Sequence, residues 1–167
     1  VPTLGLTVGA AVAVNSVGST LVPGTDRFLA GPQEIGAEFG GLGPPETYPA
    51  PTAVPTKVRP EAGANTTIAT VATDAALTRA GAERLAVMAH AGLARAVRPV
   101  WTPFDGDTVF ALATGARRAV DPAELLLLGA VAADVLARAI ARGVYHAGSL
   151  GGVPGYGERT GKDARRS

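Results

Sequence analysis

The residues of this sequence that could do chemistry are hydroxyls, carboxylates and amides, and they fall into three short polar groups. These groups are Asn15, Asn65-Thr66-Thr67 and Asp105-Gly106-Asp107. With no cysteine and two histidines, the sequence excludes a thiol nucleophile and a histidine-based metal cluster without carboxylate help. A Thr hydroxyl can attack a carbonyl when a base takes its proton, and an amide can donate to the resulting oxyanion. Turns select the same residue types, so each group taken alone also fits a purely structural role.

Three predicted strands would position these groups, because each group stands at a strand end. Residues 4–14 (LGLTVGAAVAV) alternate small and branched apolar residues, which predicts a strand buried on both faces and ending at Asn15. Residues 67–73 (TIATVAT) are β-branched and begin just after Thr66, and residues 108–114 (TVFALAT) follow the acidic turn. In layered α/β folds, strand ends are where binding and catalytic groups commonly lie.

Two helices and two irregular segments complete the predicted organisation. Thr78 caps a helix over 78–97, and Asp121, Pro122 and Glu124 predict the start of a second helix over 122–142, which Gly143 would end. Leucines at 125–128 surround its first turn, so we expect that end to be enclosed. Residues 22–65 are rich in Pro and Gly and predict a linker, and residues 148–167 predict a flexible tail.

Charge and hydropathy identify no macromolecular partner. The formal charge of +1 gives no global field that would attract nucleic acid or a membrane surface. The longest apolar run, 125–140, contains Asp134 and Arg138 and is shorter than the ~20 residues of a membrane span. No secretory signal precedes the first strand, so we expect a cytoplasmic protein. A length of 167 residues predicts one domain, and the initial Val suggests a processed or truncated chain.

All three polar groups lie in stretches that resemble one known family of proteins. The stretch GANTTIATVATDAALTRAGAERLAVMAHAGLARAVRPVWTPFDGDTVFALATG, together with AVAVNSVG, resembles the self-processing peptidases that include the DmpA-type D-aminopeptidase, the β-aminopeptidases and the 6-aminohexanoate-oligomer (nylon) hydrolases. The resemblance covers residues 8–150 and is densest over 65–115. It implies an α/β fold, a layered α/β/β/α sandwich of the N-terminal-nucleophile type. Residues 1–147 would then be the C-terminal part of one sandwich domain.

The resemblance also implies a role for each polar group. The chain would cut itself between Asn65 and Thr66, which makes Thr66 the N-terminal nucleophile. The new α-amine, with an ordinary pKa of about 8, would serve as the base. By the same resemblance, Asp105 and Asp107 would orient Thr66 and hold its ammonium, and the Asn15 amide would donate to the oxyanion. No metal or organic cofactor is needed, because every catalytic group is supplied by the protein.

The implied activity is hydrolysis of small peptides or oligoamides by a homo-oligomer of processed α and β pieces. The family pattern extends further upstream, where a Lys and other site residues usually lie, so part of the site would be absent or on a separate chain. Trp101 replaces an expected His, and we interpret it as a packing residue. Two alternatives stay open: acyl transfer like that of ornithine acetyltransferase, and a non-catalytic relative that acts as a binding or structural protein.

Overall fold

The strands form one four-stranded sheet in the order β1 (Pro2–Thr3), β2 (Leu6–Ala13), β3 (Ile68–Thr73) and β4 (Thr108–Ala113). The computed structural model describes residues 2–50, 54, 56 and 65–161. Strand β1 pairs antiparallel with β2, β2 pairs antiparallel with β3, and β3 pairs parallel with β4. All three predicted strands are present, and the mixed α/β class is confirmed.

Strand β2 differs from its prediction at its start and in its burial. Leu4 and Gly5 have positive φ angles of 54° and 71° and form the turn from β1, so the strand begins at Leu6. Leu6 and Val8 are buried, whereas Thr7 is exposed. Within the described residues the strand is therefore buried on one face rather than on both, because the helices of this part of the chain pack on one face of the sheet.

The helices are α1 (Arg79–Ala89), α2 (Ala91–Ala96), α3 (Pro122–Tyr145) and the short α4 (Tyr156–Arg159). The predicted cap at Thr78 is confirmed, since its hydroxyl accepts from the Gly81 N–H at 3.1 Å. The single predicted helix is instead interrupted at His90. There the ring Nδ1 lies 2.8 Å from the Ala86 carbonyl oxygen, which also accepts the His90 backbone N–H. No Gly or Pro marks this break in the sequence.

Helix α3 begins as predicted and ends later. Asp121 and Glu124 form the capping box, with bonds of 2.8 Å and 3.1 Å. The helix passes Gly143 and ends at Tyr145. Leu126 and Leu127 are exposed, which corrects the expectation of an enclosed first turn, because one side of this helix faces the rest of the described chain.

The described part of the predicted linker packs against α3. Phe28 and Phe39 are buried with ring centroids 5.4 Å apart, and Glu38 forms a bidentate ion pair with Arg138 of α3. In the predicted tail, Tyr156 is buried and donates its hydroxyl to the Asp26 carbonyl at 2.7 Å. Pro and Gly leave these segments with little regular structure beyond the short α4, but they do not prevent packing. Residues 57–64 and 162–167 lie outside the described residues.

The two faces of the sheet differ. Helices α1 and α3 pack on the face that carries Val8, Ala69, Val71 and Val109, all of which are buried. The opposite face carries Ile68, Phe110 and Leu112, and the last two are 57% and 54% exposed. No helix among the described residues has both the length and the apolar character needed to cross a membrane.

Candidate active site

The β3–β4 ladder brings the two main polar groups together. Ile68 pairs with Thr108, and the same parallel register continues to an isolated bridge between Asn65 and Asp105. The Gly106 N–H donates to the Asn65 carbonyl at 2.9 Å, and the Thr108 N–H donates to the Thr67 carbonyl at 3.0 Å. Consecutive ladder bonds therefore place the acidic turn directly beside the Asn65–Thr66 peptide bond.

Thr66 has its hydroxyl against the carbonyl of the preceding residue. Its Oγ1 donates to the Asn65 carbonyl oxygen at 2.7 Å, and the side chain is half-buried. The Thr66 N–H donates to the Asn15 main-chain carbonyl at 3.0 Å. Both the nitrogen and the carbonyl oxygen of the Asn65–Thr66 peptide bond are thus held by neighbouring strand ends.

Asp105 ties three segments together. Its Oδ1 accepts the Val17 N–H at 3.0 Å, two residues beyond Asn15. Its Oδ2 accepts the N–H of Thr102 at 3.0 Å and the Thr102 hydroxyl at 2.6 Å. Within the described chain, these hydrogen bonds hold the loop after β2 against the acidic turn rather than reaching Thr66.

Asp107 has one oxygen engaged and one oxygen without a partner. Its Oδ1 accepts the Thr67 N–H at 2.8 Å, which fixes the backbone just after Thr66. Its Oδ2 and the Thr67 hydroxyl are both buried, and neither has a hydrogen-bond partner among the described residues. Buried polar atoms of this kind usually have a partner, so a donor of some kind is expected at Asp107.

Gly106 lies directly against the Thr66 side chain. A Cβ added at Gly106 would stand 2.8 Å from Thr66 Oγ1 and 3.8 Å from both Thr66 Cβ and Thr66 Cγ2. From the sequence, this glycine is predicted only as part of a turn. Its position between two aspartates was the available signal, and Thr102, which holds Asp105, carried no signal of its own.

Asn15 and Trp101 lie in exposed positions. The side chain of Asn15 is exposed at the end of β2, beside an open cavity of about 310 Å³ that is also lined by Ser16, Ser19 and Arg159. Trp101 is 52% exposed and has a positive φ of 55°, with its ring 6.3 Å from that of His90. Within the described chain its ring is therefore only partly packed, against His90. The described residues contain no group of three or more His, Asp or Glu side chains suited to a metal.

The groups around this one peptide bond are those that amide cleavage needs: a hydroxyl, two carboxylates and backbone donors. The profile of peptidase family S58 matches residues 2–157. The chain belongs to peptidase family S58, which confirms the resemblance seen in the sequence.

The proteins similar to this chain are named as aminopeptidases. An uncharacterized aminopeptidase of Mycobacterium tuberculosis is 42% identical over 91% of this chain, and one of Mycobacterium leprae is 43% identical over 91%. The chain spans about half the length of these curated relatives, 47% and 44%. A solved Burkholderia β-aminopeptidase is 25% identical, with a TM-score of 0.46 over 68% of this chain and 36% of that chain.

Proposed function

We propose that this chain is part of an aminopeptidase that cuts itself between Asn65 and Thr66 and then uses Thr66 as its N-terminal nucleophile. The observation that supports this most is the contact between the Thr66 hydroxyl and the Asn65 carbonyl oxygen, at 2.7 Å. The substrates we propose are small peptides or oligoamides. The family and the aminopeptidase names of the relatives support hydrolysis of an amide bond.

The cut proceeds in two steps, a shift of the acyl group from nitrogen to oxygen and then hydrolysis of the ester that forms. Thr66 Oγ attacks the Asn65 carbonyl carbon, and the carbonyl oxygen becomes the oxyanion of a tetrahedral intermediate. The C–N bond then breaks, the nitrogen takes the proton that the hydroxyl lost, and an ester joins Asn65 to Thr66 Oγ. Water hydrolyses this ester to an Asn65 carboxylate and restores the hydroxyl. The hydroxyl is already beside the bond it must attack, so no large rearrangement precedes the first step.

The freed α-amine supplies the base for turnover. It takes the proton of Thr66 Oγ as the hydroxyl attacks the substrate and becomes an ammonium. The Asn15 carbonyl accepts from the Thr66 nitrogen at 3.0 Å. Asp107 accepts the next N–H along the chain, that of Thr67, through Oδ1, and its buried Oδ2 has no partner in the described chain. Asp107 would hold the ammonium, and Asp105 would keep the loop of Asn15 in place. The Asn15 amide would donate to the substrate oxyanion.

The exposed apolar face of the sheet would be covered by a second sheet from the remainder of the protein, completing an α/β/β/α sandwich. Phe110 and Val87 are similarly exposed here, at 57% and 59%, but lie on the open sheet face and on α1 respectively. In the full-length protein, Phe110→Lys should destabilise strongly, because it buries a charge, and Val87→Lys should not. Equal effects of the two substitutions would contradict this layering.

Mass spectrometry of the full-length protein tests the self-cut. The protein should appear as two pieces, and N-terminal sequencing of the downstream piece should begin at Thr66. Thr66→Ala should leave one uncut, inactive chain, and Thr66→Ser should still cut because the hydroxyl survives. Thr70→Ala is the matched control, since Thr70 is half-buried in the adjoining strand. A downstream piece that begins elsewhere, or normal amide hydrolysis by Thr66→Ala, would refute the proposal.

A further inference from the structure

We infer that the open cavity beside Asn15 binds the free carboxylate of a short substrate, with the Arg159 guanidinium and the Thr20 hydroxyl as its donors. This inference rests on the proposed function and deepens it, because it names a class of substrate: peptides or oligoamides whose carboxylate stands one residue beyond the bond that is cut. The bound carboxylate belongs to the leaving group, on the opposite side of that bond from the free amine of the substrate.

The cavity begins at the residue that pairs with the nucleophile. The antiparallel β2–β3 register, in which Ala13 pairs with Ile68, continues to the hydrogen bond from the Thr66 N–H to the Asn15 carbonyl. Asn15 also lines the cavity, whose volume of about 310 Å³ lies at the lower end of the range for small-molecule sites. A leaving group of one residue extends only about 3.3–3.6 Å from the cut bond, so its end stays in the neighbourhood of Asn15.

The lining of the cavity favours an anion. Among the described residues that line it, Arg159 is the one charged side chain, and none is a carboxylate. The Arg159 guanidinium makes no ion pair or hydrogen bond with another residue in the described part of the chain. A guanidinium of this kind can donate two parallel hydrogen bonds to one carboxylate. Its charge repels the ammonium of a substrate, so the leaving group rather than the amino end occupies this side.

Thr20 gives a second, independent indication of a ligand. The residue is only 8% exposed and lines the same cavity. Its hydroxyl makes no hydrogen bond to any other described residue, whereas the hydroxyls of its neighbours Ser16 and Ser19 donate to the Gly18 and Leu21 carbonyls. Polar groups that are this deeply placed usually have a partner, so the Thr20 hydroxyl is available to a ligand in the cavity.

Aromatic packing holds the segment that carries Arg159. Tyr156, one helical turn earlier in α4, is buried, and its ring centroid lies 5.0 Å from that of Phe28 and 5.3 Å from that of Tyr145. The Arg159 N–H donates to the Gly155 carbonyl at 3.0 Å. The guanidinium therefore reaches the cavity from an anchored backbone, which lowers the entropic cost of binding an anion there.

Paired substrates test the carboxylate. Each pair is a two-residue amide with a free carboxylate and the same compound with that carboxylate amidated. The pairs are alanyl-alanine with L-, D- or β-alanine first, and the 6-aminohexanoate dimer. Release of the first residue by the full-length protein is measured as kcat/KM. For the pair that is cut best, we expect the carboxylate form to be favoured by about 10-fold or more, the scale of a hydrogen bond to a charged group.

Variants of the two donors test the assignment. Arg159→Gln should remove most of the preference by lowering kcat/KM for the carboxylate form alone, and Arg159→Lys, which keeps the charge, should retain part of it. Thr20→Val should reduce the preference by about threefold, since a neutral donor is lost. Arg84→Gln is the matched control, because Arg84 is an exposed arginine of α1 outside the cavity lining. All four variants should cut themselves at the normal rate, because the site serves substrate binding alone.

The outcomes separate this inference from the proposed function. Equal kcat/KM for the two forms in the unaltered protein, or a preference that survives Arg159→Gln, would overturn the carboxylate site and leave the proposed function standing. A preference that is lost equally in Arg84→Gln would also overturn it, and an unchanged preference in Thr20→Val would remove Thr20 from the site. An unaltered protein that never cuts itself, or that hydrolyses none of these compounds, would instead refute the proposed function, and this inference with it.

Discussion

The two aspartates of the acidic turn should respond differently to the same substitution. Asp105 uses both oxygens, one for the Val17 N–H and one for the two donors of Thr102. An Asn at 105 offers one acceptor oxygen and one donor, so an N–H would face an N–H on one side. Asp107 accepts a hydrogen bond through only one oxygen, from the Thr67 N–H, and an Asn at this position keeps that acceptor.

The magnitudes follow from this difference. Asp105→Asn loses at least one hydrogen bond to a charged group, about 1.5–3 kcal/mol of the free energy of unfolding. A domain of 150–250 residues loses roughly 2–4 °C of Tm per kcal/mol, and the shift is smaller in a full-length protein about twice as long as this chain. Asp107→Asn weakens one bond from charged to neutral, about 1 kcal/mol or less. Its cost should appear in catalysis, because the proposed partner of the ammonium is lost, and turnover should fall by about 10²-fold or more.

The assay separates stability from cutting by using the Thr66→Ala background for both substitutions, so that every protein unfolds as an uncut chain. Thermal or urea unfolding of the full-length protein then compares the two aspartates, and amide hydrolysis is measured with Thr66 restored. Asp105→Asn should be clearly less stable and Asp107→Asn nearly unchanged. If Asp107→Asn were the more destabilising of the two, the hydrogen bonds described for this turn would be the wrong basis for its function.

Two further predictions concern the Glu38–Arg138 ion pair and the buried hydroxyl of Thr67. The Arg138 guanidinium lowers the pKa of Glu38 below its ordinary value of 4.5, so this carboxylate stabilises the fold above that value and loses its contribution as pH falls through the lowered pKa. In acid titrations followed by urea unfolding, Glu38→Gln should show less loss of stability below about pH 4.5 than the unaltered protein, and an equal loss would contradict the pairing. Thr67→Val removes a buried hydroxyl without a partner in the described chain, so Tm should stay the same or rise, and a loss of more than about 1 kcal/mol would indicate a water or ligand bound there.

The elements that sequence predicted well are those whose signals are local. Strands β3 and β4 combine β-branched residues with turn residues at their ends, and α3 begins with a complete capping box. The interruption at His90 was missed because a ring nitrogen meeting a backbone carbonyl leaves no mark on periodicity. The packing of residues 22–50 was missed because it depends on distant partners, such as Glu38 with Arg138.

At the candidate active site, too, the contacts with distant partners could not be predicted from the sequence. Asn65, Thr66, Asp105 and Asp107 were singled out from the sequence, and the structure brings them together on one ladder. Their contacts are largely with the main chain: the Asn15 carbonyl, the Thr67 N–H and the Gly106 N–H. Every residue carries these groups, so a sequence cannot distinguish the ones that matter. Only strand register selects them.

Register also explains why the acidic turn has a glycine between its aspartates. Asn65 pairs with Asp105 and Ile68 with Thr108, so Thr66 stands opposite position 106. Side chains alternate between the faces of a sheet, and Asp105 and Asp107 therefore point away from the face on which Thr66 and position 106 meet. A slip of the ladder by one residue would set an aspartate against the Thr66 hydroxyl and move the glycine off the Asn65 carbonyl. The buried residues Ala69 and Val71 of β3 and Val109 of β4 resist that slip, because it would turn the buried side chains of one of these strands to the open face of the sheet. The apolar core beneath the sheet thus maintains the alignment of the Asn65–Thr66 peptide bond with the acidic turn, on which the proposed self-cut depends.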